Sequence, residues 1–95
     1  MPKAYWIARI DVTEPSSYAK YAKLATKAFE QHRARVLARG GQYIGLEGEA
    51  RERNVVIEFE DMESALACYI SDAYREAAGY RAGAAEGEIL IVEGV

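Results

Sequence analysis

The spacing of apolar positions divides the chain into six segments. In residues 4–12 one alternating set is Tyr5, Ile7, Arg9 and Asp11, and the other is Trp6, Ala8, Ile10 and Val12. Aromatic and β-branched types dominate without a helical stripe, so this run predicts a strand with apolar groups on both faces. Thr13-Glu14-Pro15-Ser16 reads as a helix start. From Ser16 to Ala38 the apolar positions Tyr18, Tyr21, Ala22, Ala25, Phe29, His32 and Val36 draw one stripe, predicting a helix on the order of 35 Å long. Arg39-Gly40-Gly41 stops it, with Gly40 as the left-handed cap. Gln42–Glu47 reads as a second strand interrupted by Gly45, and Glu47–Arg53 as a polar hairpin connection. Arg53–Asp61 follows as a strand buried on both faces, with Val55, Ile57 and Phe59 on one side and Asn54, Val56 and Glu58 on the other. Asp61 caps a short helix bearing Ala65, Leu66, Tyr69 and Ile70. Ser71 restarts a second helical segment with Tyr74, Ala77, Ala78 and Arg81 on one side. Gly83–Gly87 is a loop, and Glu88–Glu93 the last strand.

Strand, helix, strand, strand, helix, strand is the split βαβ order of an α+β, ferredoxin-like fold: a four-stranded antiparallel sheet with helices on one face. The other face of such a sheet needs a cover. Here strands one and three are apolar on both sides, so sheet-to-sheet pairing in a homodimer is expected, closing an α/β barrel. Residues 1–95 are read as one domain. A chain this short buries only roughly 60–65% of its unfolded surface, which also favours a second copy.

Composition narrows the partners. An apolar content of 51% suits a packed domain rather than a disordered tail. The net charge of -3, with both signs scattered, gives no electrostatic reason to expect nucleic acid or a membrane surface. No apolar run approaches the ~18–20 residues that span a bilayer. The first residues lack the long apolar core of a signal peptide, so a soluble, cytoplasmic protein is expected. One cysteine allows no internal disulfide, and one histidine no multi-histidine metal site, so neither metal nor cofactor is expected. Phosphate-loop, dinucleotide-binding and nucleophile-elbow motifs are missing.

A few side chains could carry chemistry. Glu58 stands where an apolar residue would be simpler. It is either a paired structural carboxylate, with Arg9 as the obvious partner, or a catalytic acid or base. His32 falls on the apolar stripe, as a core-edge histidine or a proton shuttle. Seven tyrosines are many for this length, and Tyr43 and Tyr69 are the candidates for a pocket lining. Cys68 reads as a buried, inert thiol.

Together, Tyr5-Trp6-Ile7-Ala8-Arg9 with Asp11-Val12, Arg39-Gly40-Gly41, Leu46-Glu47-Gly48, Arg53, Val55-Val56-Ile57-Glu58-Phe59, Tyr69, Ser71, Tyr74, Arg81 and Val92-Glu93-Gly94 form a pattern that resembles domain-of-unknown-function family 1330, in the dimeric α/β-barrel superfamily. The likeness covers nearly the whole chain. It departs from the family at Ala50 and Glu52, where tryptophan and proline are frequent, at Cys68, where tryptophan is frequent, and at Asp72, where a proline is usual. The resemblance implies a ferredoxin-like fold paired into a barrel. Relatives in the wider superfamily include cofactor-independent oxygenases, isomerases and decarboxylases acting on aromatic or polyketide-like substrates. By that analogy a small organic ligand would sit between sheet and helices, with Arg9, Tyr43, Glu58 and Tyr69 as contacts and Glu58 and His32 as catalytic candidates. The alternative is a non-catalytic assembly or ligand-sensing module whose interior is filled by its own side chains.

Overall fold

The computed structural model describes residues 2–95. Its elements are β1 (Ala4–Val12), α1 (Pro15–Gln31), β2 (Arg35–Arg39), β3 (Arg53–Phe59), α2 (Met62–Ile70), α3 (Asp72–Arg81) and β4 (Ala85–Glu93). All strand pairings are antiparallel, in the order β2-β3-β1-β4. This is the α+β, ferredoxin-like arrangement, with its second helical position divided into α2 and α3. The sheet is open, with β2 and β4 as its edges.

The registers turn the alternation of the sequence into rows of side chains across the sheet. Val36, Ile57, Trp6 and Ile91 stand opposite one another, as do Arg39, Val55, Ala8 and Ile89. These rows face the helices. On the other face lie the rows Ala38, Val56, Ile7, Leu90 and Arg35, Glu58, Tyr5, Val92. Val55, Ile57 and Phe59 are buried, whereas Asn54, Val56 and Glu58 are half-buried. The expectation that β3 is buried on both faces therefore holds for one face of the single chain. No helix covers the other.

Trp6 is the centre of the helix-side core. It is 1% exposed, and its ring meets those of Tyr74 at 5.0 Å, Phe29 at 5.3 Å, Tyr69 at 5.7 Å and Phe59 at 6.0 Å. Each helix thus supplies a ring to the same residue of β1. Asp61 caps α2 by accepting a hydrogen bond from the Ser64 N–H at 2.7 Å, which holds its carboxyl below the usual range. Ser71 ends α2 and starts α3: its hydroxyl donates to the Cys68 carbonyl and accepts from the Tyr74 N–H.

Three expected boundaries are wrong: β4 starts at Ala85, inside the expected Gly83–Gly87 loop, and the other two share one reason. The first helix ends at Gln31 instead of Ala38, and residues 42–47 form no strand. The chain reverses through Arg33, which takes the left-handed conformation at φ 57°. Its N–H bonds to the Glu30 carbonyl at 3.2 Å and the Ala34 N–H to the Phe29 carbonyl at 3.0 Å. These are the two hydrogen bonds of a Schellman turn, a role usually taken by glycine. With an arginine there, nothing in the sequence marked the stop, and Val36 kept the stripe going by belonging to β2. Gly40 is left-handed as expected, at φ 66°, but it follows a strand rather than a helix.

Replacing Arg33 by glycine removes a left-handed strain of about 1–2 kcal/mol against an added unfolded-state freedom of about 0.4–1 kcal/mol. Chemical denaturation should show Arg33→Gly to be more stable by about 0.5–1 kcal/mol. Gly87 should behave oppositely. It lies opposite Ile10 in β4, and a Cβ there would overlap the Arg9 carbonyl oxygen in the neighbouring strand. Gly87→Ala should lower stability by about 2 kcal/mol or more.

A cavity beneath the first helix

α1 lays Tyr18, Tyr21, Ala25 and Phe29 over the β1–β3 side of the sheet. Alanines at positions 22 and 25 are too short to fill the space between the larger rings. A cavity of about 40 Å³ remains, walled by Trp6, Tyr18, Tyr21, Phe29, Val55 and Ile57, among others, and completed by Val36, Arg39 and Arg53.

The two arginines come from the strands. Arg39 stands opposite Val55 and is exposed, while Arg53 is half-buried on the same face two residues before Val55. The Arg53 guanidinium lies 5.3 Å from the centre of the Tyr18 ring and rests against Gly40, where a Cβ would crowd its Nη1. Its Nε is buried without a hydrogen-bond partner. Among the described residues no carboxylate lies within ion-pairing distance of either arginine. An unsatisfied buried donor of this kind is disfavoured by about 1–3 kcal/mol.

Behind the cavity, the Tyr21 and Tyr74 hydroxyls are hydrogen-bonded at 2.9 Å in the core. Burial, and then the neighbouring Tyr74, push the Tyr21 phenol well above its ordinary range. Burial likewise raises Tyr74, tempered by its bond to Tyr21 and by Arg81. Arg81 packs over the Tyr21 ring at 5.4 Å, and its Nε is also buried and unpaired. Cys68 is fully buried beside the Ala28 carbonyl, and burial pushes its thiol up to about 11. It is therefore a poor nucleophile near neutral pH. The cavity lining supplies apolar walls, phenol hydroxyls and two cations, with no carboxylate or imidazole. Such a lining can bind and orient a ligand.

The residues singled out from the sequence lie elsewhere. Glu58 is half-buried on the uncovered face, where it accepts a hydrogen bond from the Tyr5 hydroxyl at 3.3 Å and stands opposite Arg35. The expected Arg9–Glu58 pair is not made. Arg9 instead approaches Glu88 at 3.6 Å and donates to the Glu49 carbonyl, because the register places Glu88 and Asn54 beside it. Arg9 and Tyr43 do come together, in an open groove of about 250 Å³ between the uncovered face and the 43–51 segment. Arg51 ties that segment down, pairing with Asp11 at 2.8 Å and Glu88 at 2.7 Å. His32 caps α1, its Nδ1 2.8 Å from the Ala28 carbonyl, and borders a separate open groove with Glu60 and Asp61. Tyr69 belongs to the ring cluster around Trp6, with Arg75 over its face at 4.3 Å. Sequence reading missed Arg39 and Arg53. Arg53 was legible as a cation at the start of an apolar strand, but Arg39 was assigned to the wrong element. Among the described residues no group of three His, Cys, Asp or Glu side chains is placed to hold a metal ion, and no helix is long and apolar enough to cross a membrane.

The family described as "Domain of unknown function (DUF1330)" matches residues 3–95. No curated protein matches the sequence. Among solved structures, a protein of unknown function from Rhodopseudomonas palustris, RPA0582, is similar with a TM-score of 0.77 at 16% identity, over 99% of this chain and 83% of that one. SnoaB, a cofactor-independent oxygenase from Streptomyces nogalater, is similar with a TM-score of 0.64 at 11% identity, over 97% of this chain and 92% of that one. A dimeric protein of unknown function and ferredoxin-like fold from Bacteroides fragilis gives 0.58 at 10% identity, over 96% and 95%. At these identities the likeness is one of fold.

The phenol pair makes an alkaline prediction. Both folded-state pKa values are raised, so the stability it confers is complete below about pH 10, the unfolded tyrosine value, and is lost as pH rises toward the folded values. Tyr21→Phe should destabilise the protein by about 1–2 kcal/mol at neutral pH and flatten the decline above pH ~10. Denaturation followed against pH, with tyrosinate absorbance as the titration signal, checks both.

Proposed function

The chain belongs to the DUF1330 family, and on that premise we propose that two copies pair sheet to sheet and that each binds a small organic molecule beneath α1. The single observation carrying the binding reading is the α1 cavity, with aromatic walls and two arginines that have no carboxylate partner. Concave sites with apolar walls and a few convergent polar groups are the usual form of a small-molecule site, at ~300–1,000 Å³, and at about 40 Å³ this one takes only part of such a ligand. The oxygenase SnoaB shares the fold. The lining holds donors and cations, so binding is the part of the reading that its side chains support directly.

The pairing rests on the uncovered face. The row Ala38, Val56, Ile7, Leu90 crosses all four strands without a charge. Leu90 and Val92 are about half exposed, and Ile44 and Leu46 in the neighbouring segment are 84% and 86% exposed. A second copy related by a two-fold axis would bury the same apolar row on both protomers. It would also close the groove that brings Arg9 and Tyr43 together, with Glu58 on the same covered face.

The second reading is a dimeric assembly module without a ligand. It is favoured by the packing around Trp6, which fills most of the space between helices and sheet.

Light scattering at micromolar concentration should report a dimer, and Leu90→Asp should weaken it at least tenfold, about 1.4 kcal/mol. A wild-type mass of one chain would end the pairing proposal. A thermal-shift screen of aromatic acids and quinones should yield a stabilising compound. Ala25→Leu, which fills the cavity, should abolish that shift, whereas Glu58→Gln, outside the lining, should preserve it. Should no compound shift an intact dimer, the assembly reading stands instead.

A further inference from the structure

The arginines of this chain have different company. Arg51 grips two carboxylates, Arg9 reaches one carboxylate and a backbone carbonyl, and Arg75 donates to the Tyr69 carbonyl over two aromatic rings. Arg39 and Arg53 lie on adjacent strands and on one face, both lining one cavity, with no carboxylate between them. Arg39 stands opposite Val55 with Arg53 diagonal to it, so the two positive charges share one face. The chain carries 15 acidic side chains against 12 lysines and arginines, so anionic partners are not scarce in the sequence. None is placed here. Arg53 also keeps a buried, unpartnered Nε, and its guanidinium lies near the Tyr18 ring and close to the left-handed Gly40. A bound anion would balance these two charges.

The cavity says which kind of anion. Its walls are aromatic and aliphatic, a poor environment for a multiply charged, strongly hydrated phosphate and a good one for a carboxylate attached to hydrocarbon. Its volume of about 40 Å³ is room for about three waters. A carboxylate and its first carbons fill that space, and a ring attached to them extends to its mouth, where Val36 and Arg39 are exposed.

We infer that the cavity takes the carboxylate of a small organic acid, held by the guanidinium groups of Arg39 and Arg53, with the hydrocarbon part against Tyr18 and Val36. This rests on the reading that the α1 cavity is the ligand site, and adds to it the charge and size of the ligand. Planar guanidinium groups match a carboxylate through paired, charge-assisted hydrogen bonds, so charge rather than shape sets the selectivity.

The test is a titration of the full chain with benzoate and, separately, benzamide, which has the same shape and no charge. Trp6 fluorescence and thermal shift are the readouts, since Trp6 lines the cavity. Benzoate should bind and benzamide should bind at least about tenfold more weakly. Arg39→Gln and Arg53→Gln should each weaken benzoate about tenfold or more while leaving the mass of the assembly unchanged. Arg39 is exposed, so its variant keeps the test valid if Arg53→Gln does not fold. Ala22→Leu, which narrows the cavity, should also weaken benzoate. Equal binding of benzamide overturns the carboxylate inference and leaves the small-molecule reading standing. Benzoate that responds to the arginine variants but not to Ala22→Leu is surface ion pairing, and overturns it too. Failure of both compounds to bind, together with an empty ligand screen, removes the inference and the reading beneath it.

Discussion

The constraint on which the structure depends is the packing of rings around Trp6. One residue of β1 is touched by rings from α1, β3, α2 and α3, so the helices are fixed to the sheet through a common centre. A core built this way is stiff, because each ring must move for another to move. It also decides where space can remain. With the middle of the layer filled by rings, unfilled volume lies under the alanine stretch of α1, toward β2 and β3.

That placement separates two surfaces with different chemistry. The helix-side face ends in a small cavity with cationic side chains. The uncovered face carries the apolar row through Ile7 and the charged cluster of Arg9, Arg51, Asp11 and Glu88. The strands connect them, since neighbouring residues of one strand point to opposite faces. Asn54 and Arg53 show this: one side chain bonds the Arg51 carbonyl, while the other lines the cavity.

Most of the fold was legible because it follows from periodicity. The alternation in residues 4–12 and 53–59, the caps at Asp61 and Ser71, and the order of elements all express local chemistry that the structure repeats. The end of α1 was not legible, because an arginine occupies a position where glycine gives the signal. That one turn displaced β2 by several residues and hid Arg39 from the site. Glu58 was read on the correct face, but its neighbours depend on registers between strands far apart in sequence. Tyr5, and not Arg9, is beside it for that reason. Arg39 and Arg53 are separated by a long irregular segment, and only the pairing of β2 with β3 brings them to one cavity.

The early end of α1 also shapes the rim of the sheet. It leaves only Arg35–Arg39 to form the outer strand, and the pairing is irregular between Val36 and Ala38. A strand of five residues, bulged and bracketed by arginines, offers a short and uneven row of free backbone groups. Such a rim is a poor template for another strand, so runaway edge-to-edge growth into fibrils is discouraged on this side. The turn at Arg33 thus gives up some local backbone comfort and in return leaves the molecule a blunt margin.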